Sequence, residues 1–187
     1  MSADRIYRFV GGQAGGWLVQ TQTTLAGQPL PHAARVKVCA VDSPAAPPAP
    51  ALWTLTGARS NERYVNRPEH DQLAERQEGL GRPTATLAAL IPIRKSAQWW
   101  ALTQDERREI FEEQSGHISR SLKYLPAIAR RLHHSRDLAE PFDFLTWFEF
   151  APEHNAAFNE LLDMLRASPE WAYVDCEIDI RLERAVS

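Results

Sequence analysis

Apolar and polar positions divide this chain into short stretches of period two and longer stretches of period near 3.6. Alternation is clearest from Arg35 to Cys39, where Val36 and Val38 share one side and Arg35, Lys37 and Cys39 the other. That is the mark of a half-buried strand. Strands are predicted over 5–10, 16–22, 34–41 and 52–58. Gly11-Gly12 and Gly15-Gly16 read as a turn between the first two, without the spacing or following helix of a phosphate-binding loop. The Pro/Ala-rich run 43–50 reads as a surface loop, because proline cannot donate to a sheet ladder.

Further along, a polar stretch over 59–67 leads into a helix over roughly 70–80, closed by Gly81 and Pro83. Residues 86–93 form a buried strand whose Pro92 marks an end or an edge. Thr103 and Glu106 make a capping box that opens a helix running toward Leu125, and Pro126 redirects the chain into a second helix. An aromatic strand follows over 143–150, then an amphipathic helix over 153–167 with Phe158, Leu161, Leu162 and Leu165 on one stripe. The last strand, 171–182, carries Val174, Cys176, Ile178, Ile180 and Leu182 on one face. Strand, helices, strand, helix, strand in the second half, after a β-rich first half with one helix, predicts an α+β barrel of two ferredoxin-like halves. The halves are placed at 1–84, β-rich and shortened, and 85–187.

Composition sharpens this picture little. At 187 residues and 44% hydrophobic, with six tryptophans, the chain suffices for one good-sized domain or two small lobes sharing a sheet. A formal charge of -3 gives no global attraction to nucleic acid or anionic membrane, so anion selectivity must be local. Cys39 and Cys176 lie in strand-like runs and read as buried thiols. No apolar leader and no apolar run near the ~20 residues of a membrane span is visible, so a soluble, cytoplasmic protein is expected.

Candidate chemistry centres on Lys95–Phe150. His117 shares a seven-residue spacing with Ile110 and Tyr124, so its imidazole points to an apolar side. Such a ring suits a metal ligand, and equally a core histidine bonded to a carbonyl. Glu113 and His117 have i, i+4 spacing but no partner pair, which argues against a zinc or di-iron site. Arg130, on one continuous helix with His117, would lie about 20 Å away; a bend at Pro126 allows the two to face a flat ligand from opposite sides. The basic run 130–136 also reads as a solvated helix face. Glu170 sits at a helix-to-strand junction, where it either orients a histidine or is simply exposed. Lys95, Trp99 and Trp100 fit the edge of a macrocycle or ordinary packing.

Several blocks then occur together in order: IPIRKSAQWW (91–100), HISRSLKYLPAIARRLHHSRDL (117–138), EPFDFLTWFEFAPEH (140–154) and EWAYVDCEIDIRL (170–182), with RSNERYVNRPEHD (59–71) and EGLGRPTATLAALIPI (78–93) upstream. These resemble the chlorite dismutase family, in its short, cytoplasmic, dimeric branch. The first ~55 residues match only in general character. The resemblance implies a homodimeric α+β barrel with haem b in the C-terminal half, and conversion of chlorite to chloride and dioxygen with O–O bond formation. It further implies His117 as the iron ligand, Glu170 as acceptor of its second N–H, and Arg130 as the distal arginine tethered by Gln77. Lys95, Trp99 and Tyr64 would then lie at the haem periphery, and Thr146 and Phe148 on the distal side. Of Arg130 and Arg131, it selects Arg130 to face the haem. Other members of the superfamily would make the chain a coprohaem decarboxylase, a peroxidase-like relative or a non-enzymatic haem-binding sensor.

Overall fold

The computed structural model describes residues 6–41, 50–59 and 64–186. Eight strands close into one barrel: β1 (Ile6–Gly12), β2 (Trp17–Ala26), β3 (Arg35–Ala40), β4 (Ala51–Arg59), β5 (Leu87–Lys95), β6 (Ala129–His134), β7 (Phe144–Phe150) and β8 (Val174–Arg184). Their order around the barrel is β1-β3-β2-β8-β5-β7-β6-β4, and every neighbouring pair is antiparallel. The α+β class predicted from the pattern is thus observed, as an eight-stranded antiparallel barrel with helices outside it. No helix among the described residues is long and apolar enough to cross a membrane.

The barrel has two apolar layers because its strands alternate. Phe9, Leu55, Leu90, Leu145, Trp147, Ile178 and Ile180 fill the inside. Ala89, Ile91, Phe148 and Phe150 face outward and are covered by α5 (Asn155–Arg166) through Phe158, Leu161, Leu162 and Leu165, the stripe read from the sequence. Burying four such side chains contributes roughly 1.5–3 kcal/mol each. The acidic face of β8 is also covered: Arg166 bonds Glu177 at 2.8 Å and Asp179 at 2.9 Å, so both carboxylates are paired where α5 crosses.

Several expectations are corrected. The first helix, α1, runs over Arg67–Arg76, because Asn66 and Glu69 form a capping box with Pro68 in the first turn; Gln77 is already extended, well before Gly81. Pro92 lies inside a central strand: β5 pairs with β7 through Pro92↔Leu145, while its ladder to β8 lapses across Ile91 and Pro92 and resumes in the same register at Ile93↔Glu177. The missing donor is tolerated where the ladder is interrupted. Gly11 and Gly12 belong to β1, and a Cβ on Gly11 would stand 2.0 Å from the Trp53 ring. Residues 43–49 of the expected Pro/Ala loop lie outside the described residues.

The largest correction is β6. Residues expected to continue a helix after Pro126 form a strand that pairs along its full length with β7, from Ala129↔Glu149 to His134↔Phe144. Ala, Arg and Leu favour helix locally, but β7, and β4 at the far end, supply this segment's backbone partners. The β5-to-β8 unit therefore reads strand, helices, strand, strand, helix, strand.

His133 points into the barrel, its ring edge-on to Phe9 at 5.1 Å and its Nδ1 3.2 Å from the Leu145 carbonyl. Burial, aided by the charges of Arg131 and Arg59, pulls its pKa down to about 4 from 6.5 against the Leu145 bond. Between those values the unfolded chain takes up a proton that the folded chain refuses, so stability falls as pH drops from 6.5 to about 4, by about 3 kcal/mol in all. Urea titrations at pH 7 and 4.5 should show His133→Gln losing markedly less stability on acidification than the parent. Equal losses would remove His133 from the account.

Candidate functional site

A cavity of about 1430 Å³ lies between the outer face of β5, β6 and β7 and the helical segments that follow β5 and β7. It exceeds the roughly 300–1,000 Å³ of ordinary small-molecule sites. One wall is strand: Ile91, Ile93, Thr146, Phe148, Leu132 and Arg130. The opposite wall is helix and turn: Trp99, Phe111, His117, Ile118, Glu170 and Trp171.

The helical wall is not the single helix expected from Thr103 to Leu125. The Thr103–Glu106 capping box does open α3 (Gln104–Arg108), preceded by α2 (Ala97–Ala101). The chain then widens into a π-helical turn, Glu109–Gln114, and breaks at Gly116, which has φ 61. A new helix, α4 (His117–Ser121), begins there and ends in a 3₁₀ turn over Leu122–Tyr124. π turns are rare and cluster at functional sites. The seven-residue spacing of Ile110, His117 and Tyr124 therefore does not define one helical face. Glu113 does not meet His117 either; its carboxylate lies 3.3 Å from Arg108.

His117 is the first residue of α4. Its Nδ1 lies 2.7 Å from Oε2 of Glu170, which sits in the 3₁₀ turn Pro169–Tyr173 before β8. Burial alone would raise the Glu170 pKa, but the charges and hydrogen bonds of His117 and Lys95 hold it down to about 2. An ionised carboxylate only accepts, so Nδ1 donates to Glu170, and Nε2 is the ring nitrogen not engaged by it. The face of the imidazole stacks on Phe111 at 4.3 Å.

Lys95, expected at the periphery of a haem, is buried. Its side chain is 4% exposed, and Nζ bonds Glu170 Oε1 at 2.8 Å. β5 runs two residues further than predicted, and a bulge at its end turns Lys95 behind Glu170 and over the Trp99 ring at 4.5 Å. Lys95, Glu170 and His117 thus form one buried chain of bonds that stops at the cavity.

Strand alternation places Arg130 and Arg131 on opposite faces of β6. Arg130, Leu132 and His134 pair across from Phe148, Thr146 and Phe144, and that face lines the cavity. Arg131 pairs with Trp147 on the other face, its guanidinium 5.4 Å over the Tyr7 ring, and with Tyr7 it also borders the cavity. Gln77, just past α1, donates to the Arg130 carbonyl at 2.7 Å, so the expected tether is a bond to its main chain. Tyr64 packs edge-on to Trp99 at 6.2 Å. His117, Glu170, Trp99, Tyr64, Gln77, Arg130, Thr146 and Phe148 all line this one cavity.

The sequence reading missed Phe111, Glu112 and Ser115 around His117. The only local signal was their nearness to it in the chain.

The family model described as chlorite dismutase matches residues 50–184. A chlorite dismutase from Ideonella dechloratans is 31% identical over 125 residues, 64% of this chain and 41% of that protein, so the match spans less than half of that relative. The crystal structure of a dimeric chlorite dismutase from Nitrobacter winogradskyi is 53% identical, with a TM-score of 0.88 over 96% of this chain and 99% of the other. The cyanide complex of a mutant chlorite dismutase from Candidatus Nitrospira defluvii shares the fold at 19% identity, with a TM-score of 0.66 over 100% of this chain and 92% of that one.

Proposed function

The chain belongs to the chlorite dismutase family, and on that footing we propose that it converts chlorite to chloride and dioxygen at a haem b held in the cavity. The observation that carries this reading is the two-sided cavity itself. On one wall the Lys95–Glu170–His117 chain ends in the imidazole; on the other, Arg130 stands with Thr146 and Phe148. The donor set fits a haem. Trp99 Nε1 and the Tyr64 hydroxyl are buried with no partner among the described residues, and both border the cavity, as suits donors to propionates.

His117 Nε2 would bind the iron. A bound haem would supply the redox centre for oxygen-atom transfer from chlorite. Glu170 holds the Nδ1 proton of His117 and makes the imidazole a stronger donor. Lys95 keeps Glu170 ionised and limits how far it draws that proton. Arg130 stays charged at any working pH and holds the anion, first chlorite and then hypochlorite, against the reacting centre. Apolar walls leave that attraction only weakly screened. Gln77 fixes the main chain from which Arg130 extends.

Residues 85–187 act as a ferredoxin-like half that holds the haem, with 1–84 as its shortened counterpart. A homodimer in the cytoplasm, two free thiols included, completes the reading.

The test is an oxygen electrode on haem-loaded protein, with dioxygen evolved in proportion to added chlorite as the expected result. A Soret band without dioxygen would point instead to a haem-binding sensor, and, in protein loaded with coprohaem, oxidative loss of two propionates as carbon dioxide to leave vinyls under peroxide would point to a coprohaem decarboxylase. Arg130→Ala should keep its haem, lose kcat/KM for chlorite roughly tenfold, and release more hypochlorite to a chlorination trap. Unaltered leakage would exclude the retention role.

A further inference from the structure

The residue that starts α4 has no side chain with which to cap it. Gly116 stands at the N-cap, so the N–H groups of Ile118 and Ser119 must find an acceptor elsewhere. They find Glu112. Its carboxylate accepts from Ile118 N at 2.6 Å and from Ser119 N at 3.0 Å, one oxygen to each, and the residue is 9% exposed. The Gly116 N–H donates back to the Glu112 carbonyl at 2.8 Å, so side chain and main chain of one residue clamp the turn from both ends.

We propose that Glu112 is a positioning residue for His117, its carboxylate fixing the direction in which the first turn of α4 presents the imidazole to the cavity. This rests on the reading of His117 as the iron ligand. α4 has five residues, too few to hold its own axis in water. Its orientation is therefore set by what grips its ends. The π turn matters here because it brings Phe111 onto the His117 ring while its neighbour Glu112 reaches the amides one turn on. Ser115 joins the same clamp by accepting the Glu170 N–H at 3.0 Å, which registers Glu170 against the loop that carries His117. The 2.7 Å bond between His117 and Glu170 is thus the sum of two placements, and Glu112 controls one of them.

The test compares Glu112→Ala and the isosteric Glu112→Gln with the parent and with Glu113→Ala, whose carboxylate is exposed and contacts Arg108. In haem-free protein, the His117 Nδ1 proton resonance should move upfield and the Ile118 and Ser119 amides should exchange faster in both Glu112 variants. In haem-loaded protein, the iron–histidine stretching band should shift or broaden and haem loss to apomyoglobin should accelerate by about tenfold. Glu113→Ala should match the parent in all four. A general loss of stability lowers the melting temperature without moving the band or the Nδ1 resonance. If Glu112→Ala does not fold, Glu112→Gln decides alone. Folded variants with the parent's Nδ1 resonance overturn the proposal. A parent that binds no haem overturns the functional reading instead, while the haem-free measurements still judge Glu112.

Discussion

Replacing Glu170 with alanine should destabilise the fold by roughly 3–5 kcal/mol, because it strands a buried ammonium. Lys95 and Glu170 side chains are 4% and 5% exposed, so neither charge has water as an alternative partner. Changing both together, Glu170→Gln with Lys95→Met, removes the charges as a pair and should recover most of that loss. Urea titration of haem-free protein measures the cycle, and a Glu170→Ala penalty under about 1 kcal/mol would mean that the pair is hydrated in solution. The pH dependence has a definite sign. Glu170 titrates near 4.5 when unfolded and is held to about 2 when folded. Its contribution is complete above the unfolded value and is lost as pH falls from there through about 2. Acidification thus removes stability twice, first through His133 between 6.5 and about 4 and then through Glu170.

His117→Ala should leave a folded protein that no longer binds haem stoichiometrically. Losing even a partner of a metal ligand costs 10–100-fold in affinity, so losing the ligand itself should lower haem affinity at least about 100-fold. The vacated space keeps the Glu170 carboxylate at its base, ionised and aimed where Nδ1 stood. Added imidazole should therefore enter, donate to Glu170 and restore the Soret band. Restoration should be weaker in a Glu170→Gln background. Haem titration followed optically checks both statements, and an unchanged iron spectrum in His117→Ala would overturn the ligand assignment.

These predictions draw on residues that differ in how far the sequence disclosed them. The stripe of α5 was legible because that helix buries one face, and the alternation of β8 because its apolar side fills the barrel while its acidic side meets Arg166. His117, Glu170 and Arg130 were singled out by ordered family blocks, while periodicity alone left them a core histidine, a surface acid and a basic helix face. The helix expected around Arg130 failed because its residues have helical propensity and only long-range pairing with β7 makes them a strand. Arg130 and Arg131 lie on opposite faces because β6 is a strand, where neighbouring side chains alternate.

What the sequence determined by itself is local: which segments have a buried face, where Thr103 and Glu106 start a helix, and that an acid, an imidazole and an arginine occur in a family's order. Tertiary structure decided the rest. It set Lys95 behind Glu170, Glu112 rather than Glu113 against the histidine's helix, Pro92 inside a central strand and Arg130 on the cavity face. Each of these depends on a partner more than a turn away or on a break in helical phase. A period read along the chain registers neither, because it counts residues and not the bonds that close across space.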